Sequence, residues 1–131
     1  MSGEEFIKGL ISVLNMNAQV NIDENDNYIK INIGGGNAGD LIGYRGECLN
    51  AIQYITSIVE NERSGSRKKV ILDIENYRAR REDTLKNLAH RMENKVKKTN
   101  KSVRLEPMSA NERRIIHTEL QASESVATLS K

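Results

Sequence analysis

The stretch Tyr28–Ile33, YIKINI, sets the strongest limit on the fold. Ile29, Ile31 and Ile33 fall on one side of an extended chain, Lys30 and Asn32 on the other. Successive side chains of a strand point to opposite faces, so this strand has one apolar and one wet face. It fits a sheet covered on a single side and does not fit the centre of a doubly wound parallel sheet, whose strands are apolar on both faces. AQVNID, just before it, alternates Ala18, Val20 and Ile22 with polar residues, and the intervening ENDN reads as a turn, so the two strands form a hairpin. A third strand, KKVILDIE, turns Val70, Leu72 and Ile74 inward.

Helical periodicity surrounds these strands. Phe6, Ile7, Leu10, Ile11 and Leu14 form one stripe over Glu4–Leu14. Ala38 to Ile42 has room for one or two turns before Gly43, and a further helix is expected over Glu47–Val59. Its apolar stripe reads as Cys48, Ala51, Ile52, Ile55, Ile58 and Val59, with ERSGSR as the turn that follows. Residues 1–76 therefore read helix–strand–strand–helix–loop–helix–strand, an α+β module.

Charge changes sign where this module ends. Residues 1–76 carry 7 Lys/Arg and 11 Asp/Glu, and residues 77–131 carry 13 and 7. The second segment is the better docking surface for a polyanion. It opens with a helix over Tyr77–Thr99 that has Leu85, Leu88, Ala89, Met92 and Val96 on one side. Arg80, Arg91 and Lys98 line up on another, with Lys95 beside them. SVRLE is a candidate strand closed by Pro107, the only proline. SANE, Ser109–Glu112, reads as a capping box that starts a helix through RRIIHTEL, and VATLS is a further candidate strand.

Six of the nine glycines lie between Gly34 and Gly46, next to a helix, an arrangement that lets backbone approach phosphate. Gly34, Gly36 and Gly39 match G-x-G-x-x-G, with Glu60 about 20 residues on. The alternating strand before it and the helix breaks at Gly43 and Gly46 argue against a dinucleotide site, and no Gly-Lys-Ser/Thr marks a Walker loop. The segment IGYRG, Ile42–Gly46, carries more. Its two glycines flank Tyr44 and Arg45 between helices, so that a nucleic-acid backbone is expected to pass close to Gly43 and Gly46 while Arg45 adds charge.

The run LIGYRGECLNAI resembles the signature of a KH domain, whose G-x-x-G loop clamps single-stranded nucleic acid, and the elements before it match the type II arrangement. The resemblance implies that Ile42, Gly43, Tyr44, Arg45 and Gly46 meet the strand, and that Ile42 and Leu49 belong to the adjoining groove and core. Arg113 and His117 lie four apart on one helix face, and RRIIH after a capped start resembles the R-three-H (Arg-x-x-x-His) domain. There Arg113, Arg114 and His117 would contact the strand, with Arg80, Arg91, Lys95 and Lys98 supplying charge.

The order of the two, joined by ILDIENYRARREDTLKNLAHR, is similar to that of the bacterial Jag family of sporulation-associated RNA-binding proteins. The implied architecture is α+β: a type II KH domain at 1–76, then a small α/β R-three-H domain at 77–131, truncated at its C-terminus. A further N-terminal domain is usual in such proteins and is not expected here. The implied function is non-enzymatic binding of single-stranded RNA, or ssDNA, in post-transcriptional regulation tied to cell envelope, elongation or sporulation. A second KH-domain protein or self-association is the implied partner. The alternative is a protein-interaction module using the acidic face of residues 1–76.

The remaining residues point away from catalysis. No His/Cys/Asp/Glu set has metal-ligand spacing, so neither metal nor cofactor is expected. The single cysteine, Cys48, excludes an internal disulfide and is expected in the core. Asp73 and Glu75 fall on one side of a strand without a basic or nucleophilic companion, and His90 is expected to be exposed. Aromatics are only 4% of the chain, which disfavours a base-stacking platform. No apolar run reaches membrane-spanning length, and a reducing cytoplasm is the expected location.

Overall fold

The computed structural model describes residues 1–65 and 68–130. Ser66 and Arg67 of the expected ERSGSR turn, and Lys131, lie outside the described residues. The chain divides into two compact units, Met1–Arg78 and Ala79–Lys131.

The first unit runs α1 (Gly3–Val13), β1 (Gln19–Glu24), β2 (Tyr28–Gly34), a 3-10 turn at Ala38–Leu41, the GYRG loop, α2 (Glu47–Ser64) and β3 (Lys69–Ile74). The sheet order is β1-β2-β3. β1 and β2 form the antiparallel hairpin, with Ile22 opposite Ile31, and β3 joins β2 in parallel, with Ile31 opposite Leu72. Ile29, Ile31, Ile33, Val70, Leu72 and Ile74 are all buried, and they pack with Ile7 and Ile11 of α1 and Leu49 and Ile52 of α2. The alternation in YIKINI thus governs the unit as expected: one sheet face meets two helices, while Lys30 and Lys69 stay exposed on the other.

Helix α2 departs from its expected face and length. Leu49, Ile52, Thr56 and Glu60 are its buried residues, whereas Cys48, Ala51, Ile55 and Ile58 are exposed. Hydrophobicity alone misplaced the stripe, because the true buried row includes a threonine and a glutamate. Thr56 satisfies its hydroxyl on the carbonyl of Ile52 at 2.7 Å. Glu60, 2% exposed, accepts from the N–H of Gly3 at 3.1 Å and from Arg63 Nη2 at 2.8 Å. A carboxylate at the start of α1 answers both the open N–H groups and the helix dipole there. The residue placed like a ribose-binding acid in the glycine pattern is therefore a structural bridge between α1 and α2. Ser2 and Glu5 add a reciprocal capping box at the same end of α1.

The glycine run Gly34–Gly36 serves the fold. Gly35 N–H donates to Glu75 Oε1 at 2.7 Å, which ties the end of β2 to the segment after β3. Gly36 has φ +53°, and a β-carbon there would lie 1.9 Å from the carbonyl oxygen of Asn17. Asp73 and Glu75 do not form a pair. Asp73 Oδ1 accepts from the N–H groups of Ile74 and Arg78, while Glu75 has left the strand with φ +53°.

The second unit comprises α3 (Tyr77–Thr99), from Ala79 onward, and α4 (Ala110–Leu120). Leu85, Ala89, Ile116 and Leu120 form its core, and Leu88, Leu105, Met108 and Ile115 pack against them. Two bridges flank this core: Arg81 Nε to Glu112 Oε2 at 2.8 Å and His90 Nε2 to Glu119 Oε1 at 2.8 Å. Both pairs advance in the same order along their helices, so α3 and α4 run in the same sense, and residues 100–109 carry the chain back. Neither SVRLE nor VATLS forms a strand, and no strand occurs among the described residues of this unit. Leu105 instead contributes its side chain to the core. The capping box at Ser109 is half made: Ser109 Oγ accepts from Glu112 N–H at 3.2 Å, but the carboxylate of Glu112 turns to Arg81.

Candidate nucleic-acid interface

The GYRG loop owes its shape to local constraints. Gly43 has φ 72° and ψ −178°, a combination that a residue with a side chain does not adopt. Arg45 and Gly46 follow in left-handed conformations, with φ 56° and 77°. The Ile42 carbonyl accepts from Leu49 N–H at 3.1 Å, which pins the start of α2 beneath the loop. Gly43 is exposed, as a close approach of nucleic acid requires, but the expected reason for Gly46 needs correction. A β-carbon at Gly43 would lie 2.7 Å from Cys48 Cβ, and one at Gly46 would lie 2.6 Å from the Tyr77 ring. Gly46 is buried, so its bareness admits Tyr77 and not a nucleic-acid backbone.

What reaches solvent is the tip. Tyr44 is 69% exposed, and the Arg45 guanidinium sits 4.9 Å from the centre of its ring. This cation–π contact holds a positive charge beside an exposed aromatic face. Helix α2 starts at Glu47 without a side-chain cap, which places its N–H end at the loop. Ile42 is half-buried and packs on the core, as does the buried Leu49. Cys48, expected inside, is exposed directly after the loop.

Behind the loop lies a polar cluster that the sequence reading missed. Leu72 is on the outer strand β3, and its N–H and C=O point away from β2. Gln53 Oε1 accepts from Leu72 N–H at 2.8 Å and from Arg78 Nη2 at 2.9 Å. Arg78 Nε donates to the Leu72 carbonyl at 2.8 Å and Nη1 to Asn50 Oδ1 at 3.0 Å. Gly46, Asn50 and Gln53 are spaced by four and three, so the cluster continues the loop along one face of α2. That spacing was the available signal, and the misplaced stripe hid it.

In the second unit the expected basic residues fall into two groups. Arg91, Lys95 and Lys98 are exposed and line a shallow open depression at the C-terminal end of α3, together with Asn94. Arg80 is exposed three turns earlier. The Arg81–Glu112 bridge puts that end of α3 beside the start of α4, where Arg113 and Arg114 are exposed. Arg80 thus lies at the same end of the unit as Arg113 and Arg114, three turns of α3 away from Arg91. His117 is exposed, and its Nδ1 shares a hydrogen bond with Thr128 Oγ1.

Comparison with known proteins follows the same division. Residues 4–74 match the model of the KhpA/KhpB KH domain, and residues 83–131 match the R-three-H domain. The chain belongs to the KhpA/KhpB family. Among its relatives, RNA-binding protein KhpB of Clostridium symbiosum is 42% identical over 128 residues, covering 96% of this chain and 58% of the relative. The protein of the same name in Bacillus subtilis is 40% identical over 115 residues, or 86% and 55%. That of Lactiplantibacillus plantarum is 34% identical over 127 residues, or 97% and 39%. The chain thus spans roughly half the length of the curated relatives it matches.

One titratable cluster of the R-three-H unit gives a pH prediction. His90 lies between Glu119 and Glu93, whose hydrogen bonds raise its pKa above the ordinary 6.5, Glu119 contributing most. Glu93 is held below its ordinary 4.5, first by the Ser123 hydroxyl and then by His90. A raised histidine stabilises fully below its unfolded value and stops doing so as pH rises through its folded value. A lowered carboxylate stabilises above its unfolded value and stops doing so as pH falls. The cluster is therefore most stabilising between 4.5 and 6.5. Thermal melting of the second unit is expected to drop as pH rises above 6.5, and His90→Gln should flatten that drop. A profile identical in the variant would refute the assignment.

Proposed function

We propose that this chain binds single-stranded RNA without catalysing a reaction, as a bacterial post-transcriptional regulator acting in the cytoplasm. The observation that carries this reading is the GYRG tip, where an exposed Tyr44 and the Arg45 charge sit at the uncapped start of α2 in a KH unit. An R-three-H unit with exposed Arg91, Lys95 and Lys98 follows in the same chain. Phosphates meet Arg45 and the loop, and the second unit adds further phosphate contacts. Each unit alone binds weakly, and joining them raises the effective concentration of the second contact. A role in cell envelope, elongation or sporulation follows the family resemblance. The test is fluorescence anisotropy with a short labelled single-stranded RNA at two salt concentrations. Affinity should fall steeply with salt, because phosphate contacts release counterions. Absent or salt-independent binding would overturn the proposal.

A second reading concerns a protein partner. The outer face of α2 exposes Tyr54, Ile55 and Ile58 in one row, with Ala51 beside them. A face of this kind suits a second KH-domain protein or a second copy of this chain. Light scattering of the wild type and of Ile55→Lys, with and without a KH-domain protein, distinguishes the two partners from none.

A further inference from the structure

We infer that Asn50 and Gln53, held by Arg78, form a base-selecting site that prefers bases carrying a keto oxygen, uracil and guanine, over those carrying an amino group there, cytosine and adenine. The inference rests on the RNA-binding reading above and goes beyond it.

The acceptors of the cluster are already used. Gln53 faces two donors, Leu72 N–H and Arg78 Nη2, and only its oxygen can accept from both. Its amide NH2 is therefore turned the other way. The same logic applies to Asn50, whose oxygen accepts from Arg78 Nη1. Three of the five guanidinium N–H groups of Arg78 are used internally: Nε donates to the Leu72 carbonyl, and Nη1 and Nη2 donate one hydrogen each to the amide oxygens of Asn50 and Gln53. The four amide hydrogens of Asn50 and Gln53 have no partner among the described residues.

The surface left for a ligand is thus made of donors. At 1.5 Å per residue, Asn50 and Gln53 lie about 4.5 and about 9 Å along α2 from its exposed start at Glu47. A base whose phosphate rests on the loop projects over that ground. Uracil O4 and guanine O6 accept from such donors, whereas cytosine and adenine present an N–H2 group at the matching position and leave it facing other donors. A donor meeting a donor costs far more than a missing contact, since both groups lose water without a partner. The amides are also fixed in place. Arg78 sets their orientation, and Asp73 holds the Arg78 N–H at 3.2 Å. Arg78 acts here as a positioning residue, and Asn50 and Gln53 touch the base.

The test compares two short single-stranded RNAs, oligouridine and oligocytidine of equal length, by anisotropy at one salt concentration. The wild type should favour oligouridine about tenfold, the low end of one well-placed polar contact. Gln53→Glu keeps an oxygen for Leu72 and Arg78 and turns a second oxygen outward, so it should favour oligocytidine. Asn50→Asp makes the same exchange without touching the edge of β3, and it should shift the ratio in the same direction. Equal affinity of the wild type for both RNAs, or an unchanged ratio in both variants, would overturn the inference and leave RNA binding intact. Binding of neither RNA by the wild type would overturn both readings.

Discussion

Replacing Tyr44 and Arg45 together by Asp should lower affinity for a short single-stranded RNA by about thirtyfold or more, with the first unit still folded. Tyr44 is 69% exposed and makes its described ring contact with Arg45, so its loss leaves no cavity. Arg45 has φ 56°, a left-handed conformation that Asp tolerates better than most residues. The loop should therefore keep its course while its tip changes from one positive charge to two negative ones. Each reversed or added charge then repels a phosphate that Arg45 would have met. Anisotropy measures the affinity, and circular dichroism with thermal melting checks the fold. Unchanged affinity in a folded variant would remove the loop from the binding surface.

Stability should suffer most from a substitution at Gly36. Gly36→Ala places a β-carbon 1.9 Å from the Asn17 carbonyl oxygen, in a residue with φ +53°. The obstacle is backbone, so no side chain can swing aside. The left-handed conformation costs roughly 1–2 kcal/mol and the overpacking about 1–3 kcal/mol more. For a unit of this size, melting should fall by roughly 10–30 °C. Gly35→Ala separates the two causes: φ is +85°, but a β-carbon there meets nothing within 4 Å. It should cost about 1 kcal/mol. Equal melting temperatures for the two variants would show that the Asn17 approach is not limiting.

These glycines also show how far the sequence could be read. The hairpin, the third strand and the helices before and after them followed from alternation and periodicity. Each follows a one-sided burial pattern that side-chain polarity reports directly. Helix α2 did not, because Thr56 and Glu60 are buried polar residues satisfied by Ile52, Gly3 and Arg63. A stripe defined by hydrophobicity passes over such residues and selects Cys48, Ile55 and Ile58 instead. SVRLE failed as a strand because Leu105 packs on α3 and α4 without a neighbouring strand to pair with. The site was legible where composition is local: GYRG, the α3 lysines and the Arg113–His117 pair are all visible in short windows. Arg78, Asn50 and Gln53 were not, since 25 residues separate Gln53 from Arg78, and only the packing of α2 beside β3 unites them.

RNA is proposed to lie along the GYRG tip and the adjoining face of α2. Backbone amide shifts recorded by NMR during titration with a short single-stranded RNA test it most directly. Changes should concentrate at residues 43–48, at the side-chain amides of Asn50 and Gln53, and at Arg91–Lys98. Changes confined to Ala51, Tyr54, Ile55 and Ile58, with the loop unmoved, would contradict it.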